Sequence, residues 1–132
     1  MREFRIYDKI EKKYVKNLAF YLLSGTGELY RDIGGVCVNL KKLNKDDFAI
    51  EYSTNQKDKN GTIIFAEDIF IAKDKNGHEY TPLPVYYDEE MMAFLDGSGD
   101  LFCEKIKNCE VEVIKTTHWT STKGSVTCQK QH

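Results

Sequence analysis

Glu51-Tyr52-Ser53-Thr54-Asn55-Gln56-Lys57-Asp58-Lys59-Asn60-Gly61-Thr62-Ile63-Ile64-Phe65-Ala66-Glu67-Asp68-Ile69-Phe70 is the stretch that decides the fold. Its centre, Lys57-Asp58-Lys59-Asn60-Gly61, is a turn signal, because Asn and Gly most easily accept the positive φ of a two-residue primed hairpin turn. β-formers flank it: Phe48, Ile50 and Tyr52 before, Ile63, Ile64 and Phe65 after. The same five letters return at Lys73-Asp74-Lys75-Asn76-Gly77, between the apolar run Ile69 to Ala72 and the strand-like Glu79 to Tyr87. Two hairpins sharing a middle strand make a meander, to which the rest of the chain adds strands.

Outward from this centre the chain is ordinary for a folded domain. Its 132 residues suffice for one domain with a core of its own, and 41% hydrophobic with 30% charged residues is a globular balance. Eight Tyr and seven Phe favour strands and interfaces. A net charge of −2 supplies no overall field toward nucleic acid or anionic lipid. Met1-Arg2-Glu3-Phe4-Arg5 lacks the apolar core of a secretory signal, and no apolar run reaches membrane-spanning length. A cytoplasmic protein with reduced Cys37, Cys103, Cys109 and Cys128 is therefore expected, and the sequon Asn60-Gly61-Thr62 carries no weight.

Phe4-Arg5-Ile6-Tyr7 reads as a first strand, Asp8 to Lys13 as a turn, and Tyr14-Val15 as the start of a return strand. Leu18 to Leu23, closed by Ser24-Gly25-Thr26-Gly27, suits a buried strand. Val36-Cys37-Val38-Asn39-Leu40 is another strand candidate, and Lys41 to Asp47 is polar and exposed. Asp88-Glu89-Glu90-Met91-Met92-Ala93-Phe94-Leu95 admits two local readings. Asp88 caps a short helix with acids in its first turn, or Val85-Tyr86-Tyr87 turns through the acids into a hairpin. Leu101 to Lys107 suits one or two helical turns. Cys109, Val111 and Val113 alternate on one face of a last strand. Beyond Thr116 only Trp119, Val126 and Cys128 offer anchors, so residues 118–132 read as a frayed or docked tail.

Tyr52-Ser53-Thr54, Lys57-Asp58-Lys59-Asn60-Gly61 and Ile64-Phe65-Ala66-Glu67-Asp68-Ile69, in that order and spacing, resemble the signature of the YopX family of phage and prophage proteins. Phe4-Arg5-Ile6-Tyr7-Asp8-Lys9 is similar to the family's opening segment, and Cys109-Glu110-Val111-Glu112-Val113-Ile114 to its late strand. Three family glycines are missing here: Asn55, Glu67 and Lys115 stand in their places. The resemblance implies a mostly β fold with minor α. Within one domain, residues 1–47 would form a strand-rich subdomain used in self-association, and residues 48–117 a meander closed into a small SH3-like barrel. It also implies the hairpin at Val85 to Leu95, and it supplies no catalytic residue.

The residues that carry chemistry form no reactive constellation. Asp58-Lys59-Asn60-Gly61 and Asp74-Lys75-Asn76-Gly77 fail as calcium loops, since their sixth positions are Ile63 and Glu79 and lysines sit where negative charge is needed. His78, His118, His132 and the four Cys show no zinc spacing, the four-residue step from Cys128 to His132 included. Cys37 and Cys103 read as small core side chains. His118 has no nucleophile placed beside it in sequence. No catalytic residue, metal or cofactor is expected, and no enzyme.

Two binding surfaces are candidates. Lys57, Lys59, Lys73 and Lys75 put two lysines on each of two loops, and strand tyrosines such as Tyr80 and Tyr86 would offer stacking faces to nucleic acid. Asp58, Asp74 and the net charge oppose that field. Glu67, Asp68, Tyr86, Tyr87, Asp88, Glu89 and Glu90 combine acids with aromatics and suit a protein partner with a basic surface. The favoured expectation is a non-enzymatic phage accessory protein that binds a host or phage protein. One such target would be a host defence enzyme such as a CRISPR nuclease.

Overall fold

The structure is a computed structural model that describes residues 3–118. The tail anchors Trp119, Val126 and Cys128 and the pair Cys128–His132 lie outside the described residues. Eleven strands and one α-helix follow one another in the described chain, with a 3-10 turn at Leu18–Phe20. The fold is mostly β with minor helix. The backbone divides at Glu51 into two compact units, Phe4–Glu51 and Tyr52 onward, the latter joined by Glu3.

In the first unit β1 (Phe4–Asp8) pairs antiparallel with β2 (Lys13–Tyr14), Tyr7 opposite Tyr14. Their turn starts at Asp8, whose Oδ1 accepts from the N–H groups of Ile10 and Glu11, and ends at Lys12 with φ 58°. The first part of β6 (Phe48–Lys57) lies on the other side of β1. The buried Glu51 carboxylate receives Arg5 Nε at 2.8 Å and the Tyr14 hydroxyl at 2.9 Å, while the Arg5 guanidinium lies 4.4 Å from the Tyr14 ring centroid. A buried carboxylate persists when it is paired in this way. A separate sheet holds β3 (Tyr21–Leu23), β4 (Leu29–Asp32) and β5 (Leu40–Lys42) in that order.

Two expectations fail in this sheet. Leu18 to Leu23 is not a buried strand: its first half is the 3-10 turn, and Phe20 and Leu22 are exposed. Val36 to Asn39 is a loop, with Val36, Cys37 and Val38 exposed; only Leu40 opens β5. The apolar letters are there, but among the described residues nothing covers them.

In the second unit β6 continues and pairs with β7 (Ile63–Phe65) across a bulge between Ser53 and Lys57. The Ser53 and Thr54 hydroxyl oxygens accept from the N–H groups of Asn55 and Gln56, and Thr54 Oγ1 donates to the Ile64 carbonyl at 2.7 Å. These bonds satisfy backbone that the ladder leaves unpaired. Asn55 sits at φ 63°, a conformation Asn tolerates better than other side-chain-bearing residues. A tight turn at Ala66-Glu67 then starts β8 (Asp68–Asp74) in a different sheet, ordered β10-β9-β8-β11, with β9 Leu83–Asp88, β10 Ala93–Asp96 and β11 Cys109–Thr116. The two hairpins therefore do not share one middle strand. Glu67 has φ 74° and Asp68 Oδ2 accepts from the Phe65 N–H, so the chain breaks there and changes sheets.

The Asn-Gly reversals are antiparallel, as expected, but of another type. Asp58 N–H donates to the Thr62 carbonyl and Gly61 N–H to the Asp58 carbonyl, and only Gly61 has positive φ, at 83°. That is a three-residue loop: a type I turn followed by a left-handed bulge residue. Asp58 dictates it, because its Oδ1 accepts from both Asn60 and Thr62 N–H groups. Asp74 to His78 repeats every one of these bonds. Asp96-Gly97-Ser98-Gly99-Asp100 repeats them a third time.

The expected closed SH3-like barrel is not formed. Each sheet order ends on strands paired along one side only. The helix α1 (Phe102–Asn108), rather than strand pairing, links the end strands β10 and β11 and packs on both. Beneath it lies the core of this unit: Ile64, Phe70, Ala72, Val85, Phe102 and Val111, with Phe70 and Phe102 rings edge to face at 5.1 Å. Val85 to Leu95 is the hairpin β9–β10, Phe94 opposite Tyr87.

Candidate functional site

The lysine loops converge on β11 from opposite sides. Lys59 N–H donates to the Val111 carbonyl on one edge, and Asp74 pairs with Cys109 and Lys73 with Glu110 on the other. Convergence does not create a cationic surface. Lys59 Nζ lies 3.5 Å from Glu112 and 3.9 Å from Glu110, and Lys73 is flanked across its strand by Glu110 and Glu79. Lys57 and Lys75 are exposed. In the second loop the N–H of His78, then that of Asn76, and the Tyr80 hydroxyl hold the Asp74 carboxyl below the usual aspartate range. The same hydroxyl, donating to Asp74 at 3.2 Å, is pushed above the usual tyrosine range.

The acidic-aromatic residues separate into two places. Asp68 is buried, with its carboxylate on the Phe65 N–H, so it is a turn-builder and not part of a contact surface. Alternation along β8 already signals this, since Asp68 is in phase with buried Phe70 and Ala72. Glu67 is half-buried; its N–H donates to the Val85 carbonyl and its carboxylate accepts from the Thr117 hydroxyl at 2.7 Å.

Tyr86, Tyr87, Asp88, Glu89 and Glu90 form the outgoing strand and tip of the β9–β10 hairpin. Asp88 Oδ1 accepts from the N–H groups of Glu90 and Met91, and Met92 closes the turn at φ 52°. This is the turn that Asp8 and Lys12 make. It leaves Glu89 and Glu90 exposed and turns Met91 and Met92 outward, 56% and 78% exposed. Behind the tip the Tyr87 and Phe94 rings meet edge to face at 5.1 Å, which stiffens the base of the hairpin. The methionines are missing from the residues singled out in the sequence, where Met91 and Met92 read as an arm of the hairpin.

A cleft of about 370 Å³ lies between Tyr80 and α1. Lys105 projects there, 4.9 Å from the Tyr80 ring centroid and 3.7 Å from Asp96 Oδ2. That buried oxygen has no hydrogen-bond partner, so its charge is balanced by Lys105. Cys37, Cys103 and Cys109 are free thiols; Cys37 and Cys103 are exposed, contrary to a core role. Among the described residues no group of three or more His, Cys, Asp or Glu is placed to hold a metal ion, and no helix is long and apolar enough to cross a membrane.

Open antiparallel sheets, a short helix and an acidic hairpin tip define a small mostly β protein. The chain belongs to the YopX family, phage and prophage accessory proteins: the family model described as YopX protein matches residues 3–123. No curated relative and no solved structure matches it.

Proposed function

We propose that this chain is a non-enzymatic accessory protein that works by binding other proteins, with the β9–β10 tip as its contact surface. The observation that carries this reading is the exposure of Met91 and Met92 beside Glu89 and Glu90 on a braced turn. Methionine adapts its shape to an apolar recess, and flanking carboxylates favour a basic rim around it. The partner is a host protein with a basic surface, a nucleic-acid-binding defence enzyme such as a CRISPR nuclease being the target class. Copies of the chain also associate through the unit Phe4–Glu51.

The test is affinity capture on the full chain at low salt, challenged with purified host nucleases and lysate, beside a Glu89→Lys/Glu90→Lys/Met92→Ser variant. A specific partner whose affinity falls about tenfold or more in the variant is expected. Capture that the variant leaves unchanged assigns the contact elsewhere, and no specific capture overturns the reading.

A further inference from the structure

Phe4–Glu51 carries nine Lys and Arg against seven Asp and Glu, so this unit is cationic in a chain whose net charge is −2. The excess collects on one face of the sheet β3-β4-β5. Tyr21 lies opposite Arg31 and Arg31 opposite Lys41, so these three side chains stand in one row across the sheet. Arg31 and Lys41 are exposed, and the guanidinium lies 5.7 Å from the Tyr21 ring centroid. Two residues back along β4 the same face is buried at Leu29, which sets the row at the rim of the unit's core.

The carboxylates of this sheet serve its other face. By alternation Glu28 and Asp32 share that face with Tyr30. Glu28 receives Lys42 Nζ at 2.8 Å and the Tyr30 hydroxyl at 3.3 Å, and Asp32 Oδ1 accepts the N–H groups of Gly34 and Asn39. Among the described residues no carboxylate pairs with Arg31 or Lys41. Like charges directly opposite each other destabilise a strand pair, and a phosphate laid between them turns that repulsion into attraction. A guanidinium beside an aromatic ring also offers flat surfaces on which bases stack. An acidic peptide would use the two charges and leave those flat surfaces idle.

We infer that the row Tyr21, Arg31 and Lys41 binds single-stranded DNA. The strand runs across β3, β4 and β5, with an unstacked base against the Tyr21 ring and successive phosphates on Arg31 and Lys41. Those two cations rise from strands about 4.8 Å apart, within reach of neighbouring phosphates. A duplex keeps its base planes stacked inside and offers the row only its phosphates. Arg31 and Lys41 are donors without acceptors, whereas a 2′-hydroxyl is read as donor and acceptor both, so these cations gain little from ribose.

Fluorescence anisotropy of labelled oligo-dT is followed with the full chain over a range of salt concentrations. It is repeated with Arg31→Ala/Lys41→Ala, with Tyr21→Leu and, as a control, with Lys57→Ala/Lys75→Ala, two exposed lysines of the other unit. Binding at low salt is expected, with the slope of log K against log salt shallower by about 1.4 in Arg31→Ala/Lys41→Ala, two phosphates at about 0.7 each. Tyr21→Leu weakens binding about tenfold, the control pair changes neither quantity, and circular dichroism is the same for all. No binding at low salt, or an equal loss in the control pair, overturns DNA binding at this row. A duplex held as tightly as the single strand, or a Tyr21→Leu variant without effect, overturns the single-strand assignment. Oligo-U bound more tightly than oligo-dT overturns the choice of DNA, and equal competition by polyglutamate gives the row to an acidic protein segment instead.

Discussion

The carboxylate of Asp58 accepts the backbone N–H of Val113 at 3.0 Å, across 55 residues of chain. Its other oxygen closes its own turn on Asn60 and Thr62, so one side chain both shapes the β6–β7 reversal and fastens it to β11. The attachment falls where the β8–β11 register shifts, between Val113 and Lys115. Val111 gives its carbonyl to the Lys59 N–H on the same edge, so by alternation the Val113 N–H faces away from β8 and is satisfied by a side chain.

Asp58→Ala leaves those N–H groups without this acceptor and costs about 3 kcal/mol, roughly 1 kcal/mol for each bond lost. Asp58→Asn keeps one acceptor oxygen and costs less, about half of that. Urea denaturation measures the difference, and amide exchange at Val113 reports the attachment itself. Equal stability of Asp58→Ala and the parent would remove Asp58 from this role.

The reversals, the last strand and the short helix are legible in the sequence because each has a local cause: Asp-x-Asn-Gly, two-residue alternation, a polar-flanked apolar turn. The turn type is not, because the decision lies with Asp58 and Asp74 and not with the Asn-Gly pair alone. Barrel closure depends on which edges meet, and no local pattern encodes that. Leu18 to Leu23 reads as a buried strand and Val36 to Leu40 as a strand because an apolar, β-branched run fixes neither the pairing nor the cover of its residues. At the tip, Asp88 five positions before Ala93 matches Asp8 five before Lys13, and that spacing is a readable sign that Met92 sits at the turn's end.

Arg5 and Glu51 form an ion pair at 2.8 Å inside the first unit. Arg5→Ala takes the guanidinium from the Glu51 carboxylate, which is 2% exposed, and destabilises the unit by about 1–3 kcal/mol, the worth of a hydrogen bond to a charged group. Arg5→Lys restores little, because a compact ammonium bonded to Glu51 cannot also keep the guanidinium carbon's place 4.4 Å from the Tyr14 ring centroid. Amide exchange at Ile6 and Tyr7 should quicken in both variants, and full protection in Arg5→Lys would show that the cation's contact with the Tyr14 ring adds nothing.

Gly97 is required for space and not for its φ. A Cβ there would stand 2.6 Å from Pro84 Cδ on the neighbouring strand β9, a contact that backbone or ring must move to relieve. Gly97→Ala therefore destabilises by about 1–3 kcal/mol. Gly25→Ala, with nothing within 4 Å of its Cβ, is the matched control and stays within about 0.5 kcal/mol of the parent. Thermal melts of both variants make the comparison, and equal midpoints would mean that β9 yields freely.

The hairpin from Asp74 to Tyr80 has a stability window set by its two titrating ends. The Asp74 carboxyl, held low chiefly by the His78 N–H, contributes fully above the ordinary aspartate value, and the contribution fades as pH falls through its depressed one. The Tyr80 phenol, held high by Asp74, contributes fully below the ordinary tyrosine value and is lost as pH rises through its raised one. The contact therefore persists between about pH 4 and about pH 10 and weakens outside both limits. Carbon-detected titration should place the Asp74 midpoint below that of a free aspartate, and Tyr80→Phe should raise it toward the ordinary value. Because the His78 N–H is the larger cause, Tyr80→Phe recovers only part of the shift, and complete recovery would show that the hydroxyl and not the backbone governs the loop.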